Sequence, residues 1–179
     1  MFERLKLRIR DMRTISALSD GAEKIAHENG EALPGAEHFL LAALALPDGT
    51  ARRAFQRIGA DPDTFHSAIG KQYSDALSSI GLNPTSMGAD NDDPEPIHTK
   101  RLLYDTKPSG QAFMQELATR RHQHAPLLGA HVVEVIASMK QGVAARTLRT
   151  MSIDPDALGA AAKQEIDAFR GNTASTKIA

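Results

Sequence analysis

The sequence predicts an all-α fold built from two pseudo-symmetric copies of a four-helix repeat. Alanine and leucine dominate its apolar residues and β-branched residues are sparse, which favours helix over sheet. Apolar side chains recur at spacings of three and four along most of the chain, the period of one helix face. Most informative is a duplication. Residues 34–65 read PGAEHFLLAALALPDGTARRAFQRIGADPDTF, and residues 128–158 read LGAHVVEVIASMKQGVAARTLRTMSIDPDAL. In both, Gly-Ala opens an apolar stretch, a short gap follows, then Ala-x-Arg and an Asp-Pro-Asp that opens the next helix. Gly35 and Gly129 stand 94 residues apart and Asp61 and Asp154 stand 93 apart, so this alignment loses one residue between them. A duplicated helical unit implies halves that bury a common core.

In the first half, Phe2, Leu5, Ile9 and Met12 are spaced by 3, 4 and 3, which predicts a packing helix with a solvated basic face. The alternation Leu5, Leu7, Ile9 leaves an edge strand open. Leu18, Ala22, Ile25 and Ala26 form a second stripe that Gly30 ends. After Pro34-Gly35, residues Phe39, Leu40, Ala43 and Leu44 face a core. Leu41 makes this helix apolar nearly all round, so it should be the most buried element of its half. Pro47-Asp48-Gly49 is a turn, and Ala51, Ala54, Phe55 and Ile58 carry a helix that Gly59 stops. Asp61 caps the next helix, with Pro62 suited to its first position and Phe65, Ala68 and Ile69 on its buried side.

From residue 73 to 107 the pattern weakens, and Asn83 to Pro96 reads as a mobile linker. Its acidic cluster, Asp90-Asn-Asp-Asp-Pro-Glu, lacks the glycine and distal glutamate of a calcium loop. The second half repeats the order. Phe113, Met114, Leu117 and Ala118 match Gly21, Ala22, Ile25 and Ala26 at an offset of 92. Then come Val132, Val133, Val135 and Ile136; Val143, Ala144, Leu148 and Met151; and, after Asp154, Leu158, Ala161, Ala162, Ile166 and Phe169. The expected organisation is one domain over 1–179, with repeat one at 14–72, a linker region at 73–107, repeat two at 108–169 and a flexible tail at 170–179.

Composition narrows the function. Lys plus Arg (21) and Asp plus Glu (22) nearly cancel, so no global field draws nucleic acid or anionic membrane. Aromatics at 4% leave few platforms for stacking bases. The absence of cysteine excludes disulfides, thiol catalysis and Cys-ligated zinc. No apolar run approaches the ~20 residues of a membrane span, and the basic N-terminus lacks the apolar core of a secretion signal. A soluble cytoplasmic protein is expected. There is no phosphate-binding P-loop, no G-x-G-x-x-G after a strand, no G-x-S-x-G and no H-E-x-x-H. His122 and His124 form an H-x-H whose rings point to different helix faces, with no third ligand specified. No metal site and no cofactor are expected. Helix-turn-helix DNA reading is disfavoured because the helices have few Arg, Asn or Gln to reach bases. Glu37-His38 opens the apolar helix of the first repeat. It suits the helix dipole as a first-turn acid, and otherwise offers a carboxylate to a cationic ligand at a groove edge.

The run Pro34-Gly-Ala-Glu-His-Phe-Leu-Leu-Ala-Ala-Leu44, followed by Gly-Thr-Ala-Arg-Arg-Ala-Phe55 and Ile-Gly-Ala-Asp61, resembles the N-terminal repeat domain of Clp-type chaperone ATPases. The resemblance covers residues 14–72 and, more degenerately, 106–169. It implies two four-helix motifs, no enzymatic activity, and docking of protein partners: adaptors, substrates or chaperone subunits. It also implies a stand-alone domain, since no ATPase module follows. In some members a Glu of the T-E-H motif in each repeat holds the guanidinium of phosphorylated arginine. By position these are Glu37 and, in the second repeat, His131, so a ligand-binding site there should be asymmetric. The family's capping Thr is Ala36 and Ala130 here. The expected function is therefore protein or peptide binding that modulates Clp-dependent proteolysis, through a groove near Glu37 and His131. The alternative is a DNA-associated helical regulator that uses the basic segment Arg4 to Arg13.

Overall fold

A computed structural model describes residues 2–79, 106–120 and 126–175. Among these residues there are eight helices and no strand: α1 (Phe2–Glu28), α2 (Ala36–Leu44), α3 (Thr50–Arg57), α4 (Thr64–Ser79), α5 (Pro108–Thr119), α6 (Gly129–Ser138), α7 (Val143–Thr150) and α8 (Pro155–Ser175). The linker Asn83 to Pro96 and the pair His122 and His124 lie outside the described residues. No described helix is long and apolar enough to cross a membrane.

The core is assembled around α2 and α6. All of α2 except Leu41 is buried, as its all-round apolar sequence predicts. α6 is likewise buried except at Glu134 and Ser138. α1 packs along α2, where Gly21 admits close approach: a Cβ there would stand 3.0 Å from the Ala42 Cβ. The remaining helices cross between halves. α3 packs on α8 and on α6, and reciprocally α7 packs on α4 and on α2. α5 bridges α2 and α6, its Phe113 ring meeting Phe39 at 5.0 Å between centroids. Neither half closes its core alone.

One spacing relates the two halves from α2 to α8. α3 and α7 start 93 residues apart, at Thr50 and Val143, and each follows a glycine of positive φ, Gly49 or Gly142. The buried Phe39, Phe55 and Phe65 stand 93 residues before the buried Val132, Leu148 and Leu158. The first half thus presents rings where the second presents aliphatic chains.

Several sequence expectations need correction. The edge strand considered at Leu5–Ile9 is helix, and α1 runs unbroken through residues 15–28. Its first half does not pack through the stripe read from the sequence, because Leu5, Ile9 and Met12 face solvent. Residues 73–79, assigned to the linker region, continue α4. Residues 170–175, assigned to the tail, continue α8: Gly171 keeps a negative-side φ, and an isolated helical Gly costs only about 1 kcal/mol.

Candidate functional site

The N-termini of α2 and α6 carry the residues singled out in the sequence. Each first turn closes with an imidazole instead of the usual Ser, Thr or Asp. The Gly35 N–H donates to His38 Nδ1 at 2.9 Å, and the Leu128 N–H donates to His131 Nδ1 at 3.0 Å. Both imidazoles sit at the third helical position, where Glu or Gln closes the usual capping box.

This geometry corrects the alignment read from the sequence. The structural counterpart of His131 is His38, and the counterpart of Glu37 is Ala130. α6 begins at Gly129 with Leu128 as its cap, whereas α2 begins at Ala36 with Gly35 as its cap. The two Gly-Ala pairs are therefore one residue out of step, and the offset of 93 holds throughout. The acid of the first repeat is absent from the second.

Nor does either residue line an open groove: Glu37 is fully buried and His131 is 3% exposed. The Glu37 carboxylate folds back over Gly35, where a Cβ would lie 2.4–2.8 Å from its atoms, so glycine leaves the room it needs. Neither carboxylate oxygen accepts a hydrogen bond. Its nearest charged neighbours are His38 Nδ1 at 3.6 Å and Lys107 Nζ at 3.8 Å. The Lys107 ammonium also pairs with Glu31, whose carboxylate lies 3.7 Å from His38 Nε2. Lys107 is held there by its backbone, which donates to the Pro34 carbonyl at 2.9 Å, and two residues on Ser109 Oγ accepts from the Ala36 N–H at 3.3 Å. Burial pulls the His38 imidazole below its usual value. Glu37 and Glu31 oppose that pull, while Lys107 and His66 reinforce it.

Donor atoms of Glu31, Glu37 and His38 lie within 4.8 Å of one another, a spacing that a metal could contract. The chemistry argues for an ammonium instead. With Nδ1 accepting from Gly35, the neutral ring keeps its proton on Nε2 and has no free lone pair for a metal. Lys107 already places its charge between the two acids.

At α6 the anion comes from the other half. Asp48 Oδ2 accepts from the Gly129 N–H at 3.1 Å, and Thr50 Oγ1 accepts from the Ala130 N–H at 2.8 Å. Asp48 Oδ1 in turn accepts from the Thr50 hydroxyl at 2.5 Å and its N–H at 2.8 Å. Close approach makes this possible, since a Cβ on Gly129 would meet Ala51 Cβ at 3.0 Å and the Ala43 carbonyl at 3.1 Å.

A second feature lies on α1. Leu5, Ile9 and Met12 expose 43–66% of their surface along one side, and Ile15 and Leu7 expose 40% and 36% elsewhere on the helix. Elsewhere the helix is pinned: Asp11 Oδ1 accepts from the Leu127 N–H at 2.7 Å, and the Arg10 guanidinium lies 5.4 Å from the centroid of the Phe169 ring.

Local sequence patterns do not mark Glu31, Lys107, the Asp48–Thr50 cap or Glu165 as site residues. Lys107 and Asp48 act across 70 to 81 residues, beyond any local pattern. Glu165 did carry a signal, standing 93 residues after Gln72 on the matching helix.

The described residues thus form an all-helical fold whose two central helices each begin with an imidazole cap. Residues 13–90 match the family model of the Clp repeat (R) N-terminal domain. No curated protein matches the chain.

Proposed function

We propose that this chain is a non-enzymatic protein- or peptide-binding domain, made of two repeats, that docks Clp adaptors, substrates or chaperone subunits in the cytoplasm and so modulates Clp-dependent proteolysis. The match over residues 13–90 carries this reading. Protein docking is better supported than arginine-phosphate capture. Glu37 is buried beneath Lys107, and the matching position in the other half is Ala130. In this reading Glu37 meets a guanidinium only after Lys107 leaves, and His131 serves as a cap.

Isothermal titration against a Clp adaptor, an unfolded substrate protein and an arginine-phosphorylated peptide tests the proposal. Saturable binding of the adaptor or unfolded protein, unchanged by Glu37→Ala, is the expected result. Silence across all three ligands overturns it. A loss confined to the phosphorylated peptide in Glu37→Ala would restore the arginine-phosphate site. Exposed Arg8 and Arg13 favour a second reading, contact with DNA phosphates. That reading requires a gel shift that weakens steeply with salt.

A further inference from the structure

We propose that the amino-terminal half of α1 is a docking surface for an acidic amphipathic helix of a partner protein. The apolar part is a row: Leu5, Ile9 and Met12 are spaced by four and three, one side of a helix, with exposures of 55%, 43% and 66%. Single exposed apolar residues are ordinary, whereas three aligned on one helix form a contiguous patch of the kind that marks an interface. All three precede residue 13, so the row lies outside the segment that matches the family.

The surface is presented rigidly. Asp11 is bonded to the Leu127 backbone and Arg10 covers the Phe169 ring, so other sides of the same turns are tied to α8 and to the strand of chain entering α6. A partner meets a prepared ridge and orders little of this chain on binding.

Charge selects the occupant. At 100° per residue, Arg8 lies about 40° from Met12 on one side of Leu5, Ile9 and Met12, and Arg13 about 40° from Ile9 on the other, and both are exposed. A second copy would set these bases against their own kind, so self-association is disfavoured. A helix with leucines on one face and glutamates on both borders satisfies row and flanks together, the helix-in-groove mode of recognition. The inference rests on the reading of this chain as a protein-binding domain and names the chemistry of one partner.

The probe is a capped synthetic peptide of three heptads, with Leu at the first and fourth positions of each and Glu at the flanking fifth and seventh. Fluorescence polarisation should show 1:1 binding with Kd on the order of 10 μM, weakening several-fold between about 50 and 200 mM salt. Two variants at exposed positions leave the core untouched. The triple change Leu5→Ser, Ile9→Ser, Met12→Ser should weaken binding at least tenfold. The pair Arg8→Glu, Arg13→Glu should shift preference to the same peptide with Lys in place of Glu. The inference is overturned if the wild-type chain does not bind, if the triple variant binds as well, or if charge reversal leaves the preference unchanged. Equal binding to phosphatidylserine vesicles, lost in the same triple variant, would reassign the face to a lipid surface and also overturn it. Adaptor or unfolded-protein binding that survives the triple variant while the peptide fails would sink this inference and leave the proposed function standing.

Discussion

α2 and α6 begin alike and are completed differently. Each closes its first turn with a buried imidazole, His38 or His131. α2 then supplies its own acid, Glu37, and receives Lys107 and Ser109 from the α5 end. α6 has Ala130 in place of the acid and takes Asp48 and Thr50 from the opposite half. The interfaces between halves diverge in the same way. On α8, Glu165 accepts from Arg53 at 2.7 Å and from Arg57 at 2.5 and 2.9 Å. At the corresponding positions, 93 residues earlier on α4 and later on α7, Gln72 donates to Thr150 at 3.2 Å. The two halves agree in where their helices meet and differ in how each meeting is made polar.

The largest expected effect separates the two interfaces. Glu165 is 6% exposed by its side chain, so Glu165→Gln leaves two guanidinium groups without their charge partner. The arginine side chains are nearly half exposed, which moderates the loss to about 2 kcal/mol. Gln72→Ala, at an exposed neutral contact, should cost under about 0.5 kcal/mol. Urea unfolding of both variants checks the contrast, and equal losses would erase it. Burial pushes the Glu165 carboxyl up, and the hydrogen bonds from Arg53 and Arg57 outweigh that, holding it below the usual range. Its contribution is therefore present above the unfolded carboxylate pKa of about 4.3 and is lost as pH falls further.

Next come the caps. Thr50→Val removes the acceptor for the buried Ala130 N–H and should cost about 1.5 kcal/mol. Ser109→Ala, at a longer contact on α2, should cost about 0.5 kcal/mol. The reverse order in denaturant midpoints would show that α2 depends more on borrowed groups than α6 does.

A stabilising change follows from the same spacing. Gly59 has φ +72, and its counterpart Ser152 has φ +56, where a side chain is strained. Ser152→Gly should stabilise the protein by about 1 kcal/mol, measurable as a higher melting temperature.

The smallest effect is expected from His38. Burial lowers its pKa below 6.5, so the unfolded chain takes up a proton there before the folded chain does. Stability is then full above about pH 6.5 and declines as pH falls from that value towards the folded pKa. Glu31 and Glu37 limit the size of the shift. Comparing midpoints at about pH 7.5 and 5.5 should show a smaller drop in His38→Gln, which keeps an acceptor at the capping position. An identical drop would assign the dependence to other groups.

Much of the fold was legible in the chain because it rests on local chemistry. Phe39, Leu40, Ala43 and Leu44 lie on one face by helical period alone, and Asp154 Oδ1 does accept from the Asp156 N–H at the start of α8, as the Asp-Pro-Asp motif implied. At α4 Asp61 Oδ1 accepts from the Asp63 N–H in the same way, although the helix itself begins only at Thr64. The site was less legible. Glu37 was recognisable as a first-turn acid, but its pairing with His131 was one residue out, since Gly-Ala served as the anchor where the imidazole cap is the structural landmark.

By itself, then, the sequence determined the helical class, most helix positions and the doubled order of α2–α4 in α6–α8, because period, caps and glycine turns act over a few residues. Only the tertiary structure decided that Glu37 is buried under Lys107, that Asp48 completes α6, and that Leu5, Ile9 and Met12 stay in solvent. Those outcomes depend on which surfaces meet, and contacts spanning 70 to 81 residues leave no trace in a local pattern.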